Sequence, residues 1–274
     1  MQNLTDQVAV VTGGASGIGL ALARAFAAEG CRVVIADIEE AALKEAASLL
    51  PDDALTVRTD VSKIEDVEAL AAATLERFGR VDIVCNNAGI STFNTIENQT
   101  LADWRWVLDV DLWGVINGVH TFLPIMRRQE TPAHIVNTSS VAGLLSGVPY
   151  IGPYAVAKVG VVSLSETLYA ELQMAGAQVG VSVLCPSAVN TSVMEAERNR
   201  PAGSGTEQRT PDAEAMRLAI RSQFTGPTGK EPEEIAAMVL DAIKNDRFWV
   251  ITHNDLAPMI EARMNDIMNA TPTD

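Results

Sequence analysis

Residues 8–28 constrain the fold more than any other stretch of this chain. Val8-Ala9-Val10-Val11 is a short β-branched run of the kind that forms a strand buried on both faces. It leads into Thr12-Gly13-Gly14-Ala15-Ser16-Gly17-Ile18-Gly19, and Leu20 to Ala28 then reads as a helix. A glycine motif alone is weak, but strand, glycine-rich turn and helix in this order make a dinucleotide site. Gly13 permits the tight turn, Gly17 lets backbone approach a pyrophosphate, and Gly19 lets helix and strand pack closely. Ser16, Gly17 and Ile18 lie in the turn just ahead of the helix and are candidate cofactor contacts, and the helix N-terminus offers free N–H groups and a positive dipole end to phosphate.

A second strand, Arg32 to Ala36, ends at Asp37, eighteen residues after Gly19. An acidic residue about 20 positions on is placed to accept hydrogen bonds from an adenosine ribose. Its charge repels a 2′-phosphate, and neither Ser16 nor the following Ile38, Glu39 and Glu40 compensates. NAD is therefore expected rather than NADP. Asp37 also stands where it can cap the helix expected over 39–50. Ala54 to Arg58 reads as a third strand leading to Thr59-Asp60-Val61-Ser62. There Asp60, with Val61 beside it, is expected at the adenine edge, and Ser62 is expected to cap the helix from Lys63 to Phe78, which Gly79 stops. A fourth strand, Val81 to Cys85, ends in Asn86-Asn87-Ala88-Gly89, a composition suited to lining a ligand and tying strands together. Thr100-Leu101-Ala102-Asp103 resembles a capping box, with Asp in place of the usual Glu or Gln, and would start a long helix to Met126 with an apolar face of Leu112, Val115, Ile116, Val119, Phe122 and Leu123.

The chemistry concentrates further on. Ser139-Ser140 closes the β-type run Ala133 to Thr138, and Ser140 precedes Tyr154 by fourteen residues. Tyr154 and Lys158 are one helical turn apart in a run that continues to Met174, so both project from one face. A free phenol ionises near pH ~10, and an ammonium one turn away favours the phenolate. A hydroxyl, a proton-exchanging phenol and a tuning cation are what carbonyl and alcohol interconversion needs beside a hydride carrier.

At 274 residues and 47% hydrophobic, the chain suits one large α/β domain and is short for two. A formal charge of −15 argues against nucleic acid or an anionic membrane as partner. No apolar run has bilayer length, and Met1 to Gln7 lacks a basic start and an apolar signal core. Cys31, Cys85 and Cys185 are odd in number and lie in or beside apolar strands, as free thiols in a reducing compartment would. A cytoplasmic location is expected. His120, His134 and His253 show no metal-ligand spacing, so no metal is expected.

The Thr12-to-Gly19 turn, Asp60, Asn86-Asn87-Ala88-Gly89, Ser140 and Tyr154-x-x-x-Lys158 keep the order found in the short-chain dehydrogenase/reductase family, which this chain resembles from Gln7 to about Thr252. The resemblance implies a Rossmann-type, doubly wound α/β fold: seven parallel strands with helices on both faces. It implies Tyr154 as acid/base, Lys158 holding the nicotinamide ribose and lowering the tyrosine's pKa, and Ser140 polarising the substrate oxygen. Three departures stand out. The Ser140–Tyr154 spacing is one residue longer than usual, through Gly147-Val148-Pro149-Tyr150. The family's Pro-Gly is Pro186-Ser187, where a glycine-like backbone would strain Ser187, while Val189 and Thr191 match positions that touch the nicotinamide carboxamide. Finally, the family's helical asparagine is Asp111, within Val110-Asp111-Leu112. Its backbone carbonyl preserves the relay role, and its carboxylate is placed to pair with Lys158, so that its removal would push the alkaline limb of oxidation to higher pH.

Residues 192–230 depart from the family pattern and are read as a substrate-loop region, with 192–210 a candidate lid. Pro232 to Asn245 reads as a helix, Phe248 to Thr252 as the last strand, and 253–274 as an extension with a short helix and a polar tail. The leading function is an NAD-dependent oxidoreductase interconverting a secondary alcohol and a ketone. A non-catalytic dinucleotide sensor or scaffold, and a sugar-nucleotide epimerase, are the alternatives. Leu144, Leu145, Val148, Tyr150, Met194 and Trp104 are candidates for a pocket taking a bulky apolar substrate. By resemblance, the partner is a second copy of the chain, in a homotetramer or homodimer joined through the helices 101–126 and 154–174.

Overall fold

The computed structural model describes residues 1–145, 147–205 and 208–270. Strands β1 (Val8–Thr12), β2 (Arg32–Asp37), β3 (Leu55–Arg58), β4 (Ile83–Asn86), β5 (Ala133–Thr138), β6 (Val179–Cys185) and β7 (Trp249–Ile251) form one sheet. Its order is β3-β2-β1-β4-β5-β6-β7, and every neighbouring pair is parallel. The crossovers carry α1 (Gly17–Ala28), α2 (Glu40–Ala47), α3 (Ile64–Phe78), α4 (Leu101–Leu108), α5 (Gly114–Arg128), α6 (Val141–Leu145), α7 (Gly152–Met174), α8 (Pro211–Phe224) and α9 (Pro232–Lys244), and α10 (Ala257–Asn269) follows β7.

Alternation along β1 divides the core. Ala9 and Val11 face α1 and α9 in a cluster with Phe26, Ile35, Ile235 and Ile243. Val8 and Val10 face the other layer, among Leu70, Phe122, Met126 and Leu168 of α3, α5 and α7. Strand order reverses between β1 and β4, so their carboxyl ends diverge and open a crevice there. The register brings Thr12 level with Ala36, Asn86 with Asn137, and Thr138 with Leu184, so the functional loops leave the sheet on one rim.

Several expectations need correction. The long helix is interrupted: α4 passes through a π-helical turn, Asp109–Trp113, before α5. The apolar face expected along this helix turns largely inward, with Val115 and Phe122 buried and Val119 and Leu123 packed on the core. Leu101, Trp113, Val156, Val159 and Met174 are the large apolar residues left exposed along 101–126 and 154–174. Ser62 does not cap α3; its hydroxyl donates to Asp60 Oδ1 at 2.6 Å, and Lys63 takes the N-cap position. Ser187 is not among the described non-glycine residues with positive φ (Asp6, Glu130, Tyr150 and Asp246), so no left-handed strain arises there. The longer Ser140–Tyr154 connection instead turns on Gly147 at φ 72° and Tyr150 at φ 68°.

Residues 192–230 hold more structure than a loop reading allows. A 3₁₀ segment, Val193–Asn199, is followed by α8, which Thr210 caps by accepting from the Ala213 N–H at 3.3 Å. Residues 206–207 of the expected lid and 271–274 of the expected tail lie outside the described residues. The three cysteines are buried and unpaired, and burial pushes the Cys31 and Cys185 thiols up to about 12. Among the described residues, no helix is long and apolar enough to cross a membrane and no group of three or more His, Cys, Asp or Glu gathers to hold a metal.

Candidate active site

The crevice at the switch point is a cleft of about 400 Å³. One end is the turn after β1. A Cβ on Gly13 would come within 2.9 Å of Ala88 Cα, and one on Gly19 would collide with the Gly13 carbonyl, so both positions require glycine. Ser16 stands at the N-cap of α1 without a side-chain capping bond, and the first turn holds no acidic residue. That leaves the positive end of α1 open to an anion. Gly13, Ser16, Gly17 and Ile18 line the cleft. Gly19 stands behind them.

Asp37 at the end of β2 accepts from the Ala15 N–H at 3.2 Å and the Glu39 N–H at 3.1 Å. Burial pushes its carboxyl up, against the pull of those two N–H groups. Asp60 and Val61 line the same side. Asp60 Oδ1 is engaged by both the N–H and the hydroxyl of Ser62. Asn87, Ala88 and Gly89 form the floor. Thr12 Oγ1 accepts from the Asn87 N–H at 2.9 Å, Asn87 Nδ2 donates to the Thr12 carbonyl at 3.1 Å, and Thr138 Oγ1 donates to Asn87 Oδ1 at 3.3 Å. One asparagine therefore ties β1, β4 and β5 together at the rim.

At the other end, Ser140, Tyr154 and Lys158 converge. Ser139 is turned away, its hydroxyl donating to the Lys158 carbonyl at 2.7 Å, so Ser140 is the serine that faces Tyr154. Ser140 Oγ accepts from the Ala142 N–H at 3.2 Å and donates to the Pro186 carbonyl at 3.4 Å. Lys158 Nζ donates to the Thr138 carbonyl at 3.1 Å and stands 3.0 Å from Asp111 Oδ2. Pro186, Val189 and Thr191 close this end from beyond β6.

Asp111 does not reach the cleft. The π-helical turn carries it behind Lys158, fully buried, where Oδ1 accepts from the Ile90 N–H at 2.8 Å. Burial pushes its carboxyl up against the opposing pull of Lys158 and that N–H. Burial likewise disfavours the Lys158 ammonium, but Asp111 and Tyr154 outweigh it and hold Lys158 above its ordinary value. For Tyr154 the net direction is opposite to the one the Tyr-Lys spacing suggests. Burial pushes the phenol up, and Asp111 partly undoes what Lys158 and Ser140 contribute toward ionisation.

The space beyond Ser140 and Tyr154 is apolar, walled by Phe93, Ala142, Val148, Ile151, Met194, Ile220 and Phe224. Of the expected pocket residues only Val148 and Met194 take part; Leu144 packs into the core against Val162 and Val183. Ile220 and Phe224 come from α8, whose start is signalled by Thr210-Pro211 followed by Asp212 and Glu214. Glu39, Arg198 and Asn199 also line the cleft, and no local motif marks them.

Comparison with known proteins agrees with this geometry. The sequence profile of the short chain dehydrogenase family matches residues 7–202. A short-chain dehydrogenase/reductase from Burkholderia phymatum, solved in complex with NAD, superposes with a TM-score of 0.94 at 40% identity, over 100% of this chain and 99% of that one. A C alpha-dehydrogenase from Sphingobium sp. is 34% identical over 274 residues, 98% of this chain and 88% of its own. Meso-2,3-butanediol dehydrogenase from Serratia marcescens is 34% identical over 248 residues, 89% of this chain and 90% of its own. This chain belongs to the short-chain dehydrogenase family of oxidoreductases.

Proposed function

We propose that the protein is an NAD-dependent dehydrogenase, a single catalytic domain interconverting a bulky secondary alcohol and its ketone. One observation carries the reading: Ser140, Tyr154 and Lys158 meet at one end of a cleft whose other end is a glycine-built anion site closed by Asp37. The residues suited to hold the dinucleotide are Gly13, Ser16, Gly17 and Ile18 at the phosphates, Asp37 at the ribose, and Asp60 and Val61 at the adenine. Asn87, Ala88 and Gly89, with Pro186, Val189 and Thr191, flank the nicotinamide end. When bound, NAD⁺ supplies the acceptor for hydride from the carbinol carbon. Tyr154 takes the hydroxyl proton, and Ser140, its oxygen held by the Ala142 N–H, holds the substrate oxygen in line by turning its one proton from the Pro186 carbonyl to the substrate. Lys158 opposes the cost of a buried phenolate. Asp111 acts on that balance through Lys158 and is a positioning residue.

The apolar wall of Phe93, Ile151, Met194, Ile220 and Phe224 favours a hydrophobic substrate over a small diol. A panel of secondary alcohols with NAD⁺, followed by NADH absorbance, tests this. Bulky aryl or alicyclic carbinols should turn over, and Tyr154→Phe should lower kcat at least ~10²-fold while NADH still binds. Turnover retained in Tyr154→Phe would assign the proton to another group. NADH binding without turnover of any alcohol would favour a sensor instead.

A further inference from the structure

The segment Val193–Asn199 brings a cation to the end of the cleft where the sequence shows only acids. Arg198 Nε and Nη2 stand 3.0 and 2.9 Å from Glu39 Oε1, and Asn199 Nδ2 donates to the same oxygen at 2.7 Å. Glu39 in turn donates its backbone N–H to Asp37 Oδ1, so the two carboxylates are neighbours at the end of β2. Partial burial pushes the Glu39 carboxyl up, but the bonds from Asn199 and Arg198 outweigh it and keep the group charged at neutral pH. The segment is fixed just beyond. Arg200, 5% exposed, pairs with Asp103 at 2.8 Å and Glu197 at 2.6 Å and lies 4.6 Å above the Trp106 ring. Arg198 Nη1 also donates to the Ser192 and Glu195 carbonyls at 3.3 and 2.8 Å, so the guanidinium stays at this end of the cleft whether or not Glu39 holds it.

A guanidinium beside a ribose is the group that recognises a 2′-phosphate, through paired charge-assisted hydrogen bonds. In this chain the Nε and Nη2 edge of that guanidinium is occupied by Glu39. We propose that Glu39 is a second determinant of nucleotide specificity: it sequesters Arg198, so that a latent 2′-phosphate site lies beside the Asp37 ribose site. The inference rests on the dinucleotide reading above. Asp37 acts by repulsion; Glu39 acts by withholding a partner. Because the Arg198–Glu39 pair is partly exposed, at 40% and 30%, breaking it leaves the core intact.

The test is the ratio of NADPH to NADH affinity, read from cofactor fluorescence on the full chain. Four proteins are compared: wild type, Asp37→Ala, Asp37→Ala with Glu39→Ala, and that pair with Arg198→Ala. Adding Glu39→Ala to Asp37→Ala should raise the ratio about tenfold, as one freed charge-assisted hydrogen bond would. Arg198→Ala should then return it to the Asp37→Ala level. No gain on adding Glu39→Ala overturns the proposal. So does a gain that survives Arg198→Ala, because loss of negative charge alone would then explain it. Wild-type protein that binds neither dinucleotide removes the underlying reading and the proposal with it.

Discussion

Asp111 decides how much help Lys158 gives Tyr154. The carboxylate lies 3.0 Å from the ammonium and raises the phenol that the ammonium would lower. In Asp111→Asn the amide can still accept from the Ile90 N–H, and Lys158 keeps the Thr138 carbonyl. Tyr154 then feels the lysine without the opposing charge. Oxidation needs the deprotonated phenol and rises through its pKa, so the alkaline limb of kcat/KM should move to lower pH. This reverses the sign suggested by the sequence, where Asp111 figures only as a prop for the lysine's charge. A limb displaced to higher pH would mean that Lys158 needs Asp111 to stay protonated, and coincident profiles would confine position 111 to its backbone.

Strand β5 holds a second buried ionisable group, at the end of the sheet away from the cleft. His134 Nε2 is 2.8 Å from Ser182 Oγ, whose own proton goes to the Arg247 carbonyl at 2.7 Å. The imidazole therefore donates from Nε2, leaving Nδ1 3.9 Å from Asp246 Oδ1. Burial pushes its pKa down to about 3. From pH ~6.5 downward the unfolded chain takes up a proton that the fold refuses, so stability falls with acidification by up to about 1.4 kcal/mol per pH unit. His134→Gln keeps a donor for Ser182 and removes the titration. Urea titrations between pH 7 and 4.5 should show wild type losing more stability than the variant, whereas parallel curves would show that His134 charges in place.

What the sequence reveals follows from how local each cause is. β1, β2 and β5 are β-branched runs, and the glycine turn, the Gly79 stop and the Thr100–Asp103 box are set by residues a few positions apart. The π-helical turn leaves no mark on apolar periodicity, so the retreat of Asp111 behind Lys158 was hidden. The α8 helix is hard to read from sequence because its polar surface resembles a loop, although Thr210-Pro211 signals its start. Arg198 and Glu39 lie 159 positions apart, with no pattern to link them.

For the whole molecule, we propose that a second copy covers the outer face of α4 with its π-helical turn and of α7, where Trp113 and Val156 are about half exposed. These helices pack side by side, so their outward apolar residues form one surface. Sedimentation should show a dimer or tetramer for wild type and a smaller species for Trp113→Arg with Val156→Arg. An unchanged assembly would place the interface elsewhere.

A sheet built only of parallel pairs also has a history. No hairpin can start it, because each strand meets its neighbour only after a crossover has been made. Val8 must find Arg32, Ala9 must find Ile83, and Val183 must wait for Trp249. Loop closure comes before any pairing rewards it, which makes such a chain a slow folder with strand edges open in the meantime. The rim that carries the chemistry is thus completed late, and a newly made chain depends most on protection from aggregation before β7 has docked.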